Sequence, residues 1–170
     1  MAQEIIGRIK TVSVTKVITT GGAYTAEDVV SNSTSAGTAW TFSAIARQNG
    51  ASGYITEAHV LSETTAITPR FSLYVFTATP TCALNDNAAN TALLWADLAN
   101  YVGKIDFPAM EDLGTGKTEA VATLSTVGNL PLAFTCAAAA DDLYGVLVAR
   151  DAFTQTAGDD VVVRITCEQY

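Results

Sequence analysis

Gly114-Thr115-Gly116-Lys117-Thr118 has the ending of a phosphate-binding loop. Such a loop cradles phosphate oxygens on backbone N–H groups and needs a further glycine five positions before its last one. Glu111 holds that position and sets an anion where phosphate would lie. The segment is not set between a buried strand and a long helix, so it reads as a flexible loop with no nucleotide cofactor. His59 is the only histidine. A zinc centre needs several N or S ligands, and Cys82, Cys136 and Cys167 are far apart, with no metal-like spacing. A serine nucleophile on a G-x-S-x-G elbow has no counterpart in the chain. His59 is therefore expected to be a structural or interface residue.

Oxygen donors for calcium occur at Asn85-Asp86-Asn87, Asp141-Asp142 and Asp159-Asp160. None sits in a calcium loop that ends in Glu, and Asn and Asp in turns usually bond their own backbone. The turn reading is taken, with a calcium ion in these loops left open. Trp40 and Trp95, with Tyr54, Tyr74 and Tyr101, could line a carbohydrate platform. In an alternating context such rings are more often core and interface aromatics. The residues thus point to a protein that is not an enzyme, with no catalytic, cofactor-binding or metal site.

The elements that carry these residues are strands. From Tyr54 to Ser62, Tyr54, Thr56, Ala58 and Val60 alternate with Ile55, Glu57, His59 and Leu61. From Phe71 to Thr77, Phe71, Leu73 and Val75 alternate with Ser72, Tyr74 and Phe76. Period-two alternation is the mark of a strand with two unlike faces. Both faces of the second strand are rich in apolar residues, which predicts a central strand covered on both sides. Further strands are expected in Arg8–Thr20 up to Gly21-Gly22, Ala26–Val30, Trp40–Ala46, Lys104–Phe107, Glu119–Val127, Leu130–Cys136, Leu143–Ala149 and Val161–Glu168. Trp40, Phe42 and Ala44 would share one face.

Between these strands, Ser31–Gly37 reads as a polar loop with a mobile tip, and Asn49-Gly50 as a turn. Pro80–Asn90 is a turn-rich excursion. Leu94, Leu98 and Tyr101 sit at helical spacing, so a short helix is expected there, ending by Gly103. Glu111–Gly116 and Asp151–Asp160 read as connections. Many short strands separated by Gly, Pro, Asn and Asp predict an all-β, antiparallel β-sandwich with at most short helical turns. No internal repeat or composition break divides it, so residues 1–170 are expected to form a single β-sandwich domain.

The totals bound the partners. Charged residues are only 15% of the chain and hydrophobic ones 49%, against about a quarter charged in ordinary soluble chains. Two readings stay open: an Ala- and Thr-rich β-protein, or a surface covered by neighbouring subunits. The net charge of −8 argues against a grip on nucleic acid, which needs cations facing phosphates, and against a polybasic membrane contact. No secretory leader is expected from MAQEIIGRIK, and no run is long enough to span a membrane. The three cysteines are an odd number, and Cys167, in phase with Val161, Val163 and Ile165, is expected to be a buried free thiol, which fits folding in a reducing cytoplasm.

Phe76-Thr-Ala-Thr-Pro80, Asn85-Asp-Asn-Ala-Ala89 and Ala96-Asp-Leu-Ala-Asn-Tyr-Val-Gly103 together resemble a family of small virion structural proteins of tailed bacteriophages. Ala23–Val30 is similar to that family's entry turn, and Asp142–Val148 to its closing strand. The chain departs from the pattern at Asn90, where the family has an aromatic, and in the run Ala137–Ala140. The shared motifs are structural turns, so no catalytic residue is carried over. The resemblance implies a jelly-roll-like sandwich made in the host bacterial cytoplasm. It further implies a decoration or cement protein on the outer capsid surface, bound to the major capsid protein as a homo-oligomer, in preference a trimer. The alternative kept beside it is a tail- or fibre-associated carbohydrate- or receptor-binding module.

Overall fold

The computed structural model describes residues 8–114, 116–125 and 129–170. Thr115 of the glycine loop and the end of the strand expected over Glu119–Val127 lie outside the described residues. In chain order the strands are β1 (Ile9–Val17), β2 (Gly22–Tyr24), β3 (Val29–Val30), β4 (Trp40–Phe42), β5 (Ser52–Ser62), β6 (Phe71–Phe76) and β7 (Tyr101–Asp106). They continue with β8 (Glu111–Asp112), β9 (Thr118–Ala122), β10 (Leu132–Thr135), β11 (Leu143–Ala149), β12 (Phe153–Gln155) and β13 (Asp160–Gln169). One 3-10 helix, Trp95–Asn100, precedes β7.

Two antiparallel sheets enclose the core. The first runs β1-β13-β5-β9-β8, with β10 pairing the start of β5. The second runs β3-β11-β6-β7, with β4 also on β11, and a small ribbon pairs β12 with β2. Count β3 and β4 as one interrupted strand and β8–β10 as one edge. The principal strands then pair first with last, second with next to last, and inward to the central β6–β7 hairpin. That order, a long hairpin wrapped over two sheets, is the jelly roll.

The core follows from the alternation. Val161, Val163, Ile165 and Cys167 of β13 point inward, and Ile55, Ala58 and Val60 of β5 join them. Trp40, Phe42, Leu73, Ile105, Leu143 and Leu147 meet them from the second sheet. Each such side chain contributes roughly 1.5–3 kcal/mol on full burial. β6 is central and covered on both sides, as its composition predicts. Phe71, Leu73 and Val75 face the main core, while Phe76 packs outward with Val29, Cys82, Val146 and Val148. The excursion between β6 and β7 supplies that outer cover through Cys82, Ala83, Leu84 and Ala92. The outward residues of the first sheet, including Thr11, Ser13, Thr15, Glu57, His59 and Arg164, are exposed or half-buried.

Several expectations are corrected. The alternation expected through Tyr54–Ser62 breaks at a bulge: Thr166 pairs with Glu57 but Cys167 with Ile55, which leaves Thr56 over. Ile55 and Ala58 therefore both reach the core, because an extra residue shifts the phase by one. β4 stops at Phe42, and Ala44 has φ +51°, so it does not continue the strand face. The helix ends at Asn100 and β7 begins at once, with Gly103 paired to Val75 inside the strand instead of stopping a helix. Glu111–Asp112 and Phe153–Gln155, expected as connections, are short strands. The polar loop Ser31–Gly37 is also anchored to a distant segment: Ser31 N–H donates to Asp86, Gly37 N–H to Asn85, and Asp86 N–H to the Ser33 carbonyl, while Thr34, Ser35 and Ala36 at the tip are exposed.

Gly37 lies against this pin. A Cβ there would come within 2.0 Å of the Leu84 carbonyl oxygen, so Gly37→Ala is expected to destabilise the fold by about 1–3 kcal/mol. A lower urea midpoint with unchanged slope is the readout. Cys82, Cys136 and Cys167 are buried free thiols, and burial pushes all three up to about 11 from an ordinary 9. Between these values the unfolded chain releases protons that the folded chain keeps, so stability is full below pH 9 and falls as pH rises toward 11. Thermal melts across that window should show the decline, and single Cys→Ala variants should make it shallower.

Candidate functional site

The excursion between β6 and β7 is fastened before it is exposed. Asp97, in the first turn of the 3-10 helix, is only 3% exposed. Its Oδ1 accepts from Thr81 N–H at 2.8 Å and Thr81 Oγ1 at 2.9 Å, and its Oδ2 from Cys82 N–H at 3.1 Å. Asn90 Oδ1 accepts from Ala92 N–H at 2.8 Å, and Thr91 Oγ1 from Ala83 N–H at 2.7 Å. Thr77 N–H donates to the Asn100 carbonyl at 2.8 Å and closes the base of the excursion. Beneath it, Tyr101 packs on Phe76 with ring centroids 5.5 Å apart.

With Asp97 turned inward, the neighbouring side chains turn out. A 3-10 helix has about three residues per turn, so Trp95 and Leu98 lie one above the other. Trp95 is 88% exposed, Leu98 44%, Leu93 38% and Leu94 37%. Four of the ten large exposed apolar side chains among the described residues thus fall within residues 93–98, and no exposed charge lies between them. Scattered apolar residues on a surface need no explanation; these four are consecutive or nearly so in the chain and share one short segment. Tryptophan is among the residues enriched in binding hot spots, whereas leucine is not.

The residues singled out for chemistry lie elsewhere. His59 sits on the outer face of the first sheet, with Nδ1 2.7 Å from Glu119 Oε1 and Nε2 3.4 Å from Glu57 Oε1. Its close polar neighbours are carboxylates on adjacent or the same strands, which hold the ring in place. Lys117 pairs with Glu63 at 3.2 Å, and Thr118 is buried in β9, donating to the Thr64 carbonyl at 3.1 Å. With Leu113 N–H bonded to the Lys117 carbonyl at 2.9 Å, this segment is the turn of the β8–β9 hairpin.

The Asn and Asp groups act on loops, but by tying distant segments together where the turn reading expected bonds to their own backbone. Asp86 accepts from Tyr24 Oη and Ser31 N–H, each at 2.8 Å, Asp142 from Ala44 N–H at 2.7 Å, and Asp159 from Thr64 Oγ1 at 2.8 Å. Asn87 Nδ2 donates to the Ala23 carbonyl at 3.2 Å. Among the described residues, no three His, Cys, Asp or Glu side chains converge as metal ligands. The five rings do not assemble into one platform. Trp40 is buried and donates Nε1–H to the Val30 carbonyl, Tyr74 packs with Tyr101, and Tyr54 meets Tyr170 edge-on at 5.9 Å.

A cleft of about 510 Å³ gathers Arg70, Lys104 and Arg150, three of the chain's nine cations. Each is paired, with Asp151 at 2.7 Å, Asp106 at 2.9 Å and Glu27 at 2.7 Å respectively. Arg70 holds the Asp151 carboxyl down at about 2. The cleft is therefore close to neutral near pH 7. Leu93 escaped the sequence reading. The signal available for it was the string Leu93-Leu-Trp-Ala-Asp-Leu98, whose single charge is the residue that folds inward.

The class defined by this fold and surface is a jelly-roll β-sandwich carrying an exposed apolar cap. No family model matches the chain, and no curated protein sequence matches it.

The cap and its pin should separate in mutagenesis. Asp97→Ala leaves backbone donors of Thr81 and Cys82 without their carboxylate and should cost about 2–3 kcal/mol. Trp95→Ala removes a side chain that supports little of the fold and should change stability by no more than about 0.5 kcal/mol. Urea denaturation of both variants checks the contrast.

Proposed function

We propose that this chain is a virion structural protein of a tailed bacteriophage: a capsid decoration, or cement, protein that binds the major capsid protein on the outside of the head. The observation that carries the reading is the cap of Leu93, Leu94, Trp95 and Leu98, a contact surface on a rigid base. The resemblance of the turns at Phe76–Pro80, Asn85–Ala89 and Ala96–Gly103 to the bacteriophage family supports it, and the third of them carries Leu98 of the cap. Jelly rolls recur in capsid and lectin domains, but a fold alone does not carry a function.

In this role the protein does no chemistry and is not an enzyme. It binds the assembled shell and not the free subunits, and stabilises the shell by mass action. The net charge of −8 would be repelled by packaged DNA, which favours the outer surface. A charged fraction of 15% suits subunits that cover one another, and a homotrimer at local three-fold positions is the assembly proposed. Synthesis in the host bacterial cytoplasm accords with three reduced, buried thiols.

The exposed ring of Trp95 also favours a second reading, a carbohydrate- or receptor-binding module of the tail or fibre, since an open indole face can stack on a sugar. One pair of experiments separates the two. Particles carrying Trp95→Ala, or lacking the protein, should lose DNA at lower temperature than intact particles if the chain is cement. Saturable binding on a glycan array, lost in Trp95→Ala with heat resistance of the particles unchanged, would establish the module instead.

A further inference from the structure

Lys16 is the buried lysine of the fold, 7% exposed at the end of β1. It takes part in no salt bridge among the described residues. Its Nζ lies 5.0 Å from the centroid of the Trp40 ring, 3.1 Å from Ser31 Oγ, 3.2 Å from Thr38 Oγ1 and 3.4 Å from Asn32 Oδ1, and it also donates to the Thr38 carbonyl. Burial pulls this amine down to about 8, against the pull of Asp86, so roughly a tenth of it is uncharged and nucleophilic near neutral pH.

The carbonyl beside it is activated in turn. Asn32 Oδ1 accepts from Thr38 N–H at 3.2 Å, Thr38 Oγ1 at 3.1 Å and Ser31 Oγ at 3.2 Å. Donors that converge on one carbonyl oxygen stabilise the negative charge it gains when its carbon is attacked. Ser31 Oγ touches both the amine and this oxygen, and Ser31 N–H is held by the buried Asp86 carboxyl. A nucleophile, an amide carbonyl whose oxygen lies 3.4 Å from it and donors for the oxyanion are thus built into one corner of the sandwich.

We propose that Lys16 and Asn32 form an intramolecular amide cross-link, made by the folded chain itself. The Nζ lone pair attacks Asn32 Cγ, and the electron pair of the carbonyl moves onto Oδ1, where the Thr38 and Ser31 donors hold it. A proton passes from Nζ to the side-chain amide nitrogen; the Ser31 hydroxyl, 3.1 Å from Nζ, is the group at hand to accept it and give up its own. The carbonyl re-forms, the Cγ–Nδ2 bond breaks, and ammonia leaves through the half-exposed side of Asn32. The Nζ–Cγ bond replaces the bond broken, so the step needs no oxidant, metal or co-reactant. The product ties β1 to the loop between β3 and β4. This modification is independent of the virion role.

Mass spectrometry of the full chain tests it. The denatured protein should be lighter than its sequence by one ammonia. Trypsin should fail to cut after Lys16 and should release Thr11–Arg47 as one looped peptide carrying that loss. Lys16→Arg and Asn32→Ala should each restore the full sequence mass; Asn32 lies in a polar loop, so its variant serves if the lysine variant does not fold. A succinimide at Asn49-Gly50 would lose the same mass, but alkaline hydroxylamine opens a succinimide and leaves an amide cross-link intact. Full sequence mass with normal cleavage after Lys16 in the folded wild-type chain overturns the proposal. So does a loss that persists in both variants or disappears with hydroxylamine.

Discussion

Two buried carboxylates hold the outer layer to the second sheet. Asp86 is reached from the strand side by Tyr24 Oη and from the following loop by Ser31 N–H, while Asp97 gathers Thr81 and Cys82. Each would be costly to bury alone. For Asp86, burial raises the carboxyl above its ordinary value, and the bonds from Ser31 and Tyr24 pull the other way. Charge-assisted bonds contribute roughly 1.5–3 kcal/mol each, and a carboxylate that leaves would strand several donors at once. The apolar contacts of Cys82, Ala83, Leu84 and Ala92 on the outer face of β6 and β11 are modest in size. They cover that face because the two acids fix where the excursion lies.

The apolar cap follows from the same fixing. A 3-10 helix that turns its one acid inward has to turn its tryptophan outward, since residues two apart cannot share a side at about three residues per turn. The charge that would ordinarily solubilise this segment is buried at Asp97, and what remains outside is Leu93, Leu94, Trp95 and Leu98. Structure and surface chemistry are thus linked through a single side chain.

Most of the strands were legible in the sequence because alternation survives wherever a strand stays in phase: β6, β11 and β13 fall where their apolar residues point. The buried state of Cys167 followed from that phase. The bulge at Thr56 was not legible, because the residues on either side of it alternate as well across the break as along it. β8 and β12 are two and three residues long, too short for any period, and exist only because β9 and β2 lie beside them. The loop Ser31–Gly37 looked free because its anchors, Asn85 and Asp86, come from a distant part of the chain. Trp40 and Trp95 are alike as letters, and their opposite burial is set by tertiary contacts: one fills the space between sheets, the other tops a helix whose inner side is already occupied.

The two outer sides of the sandwich are unlike. One is roofed by the excursion with its cap; the other is the bare first sheet, lined with Thr11, Ser13, Thr15, Glu57, His59 and Arg164. A molecule built this way has a polarity. One side meets solvent with apolar side chains around Trp95, the other with hydroxyls interleaved with Glu57, His59 and Arg164 and with the exposed Ile9 and Val17.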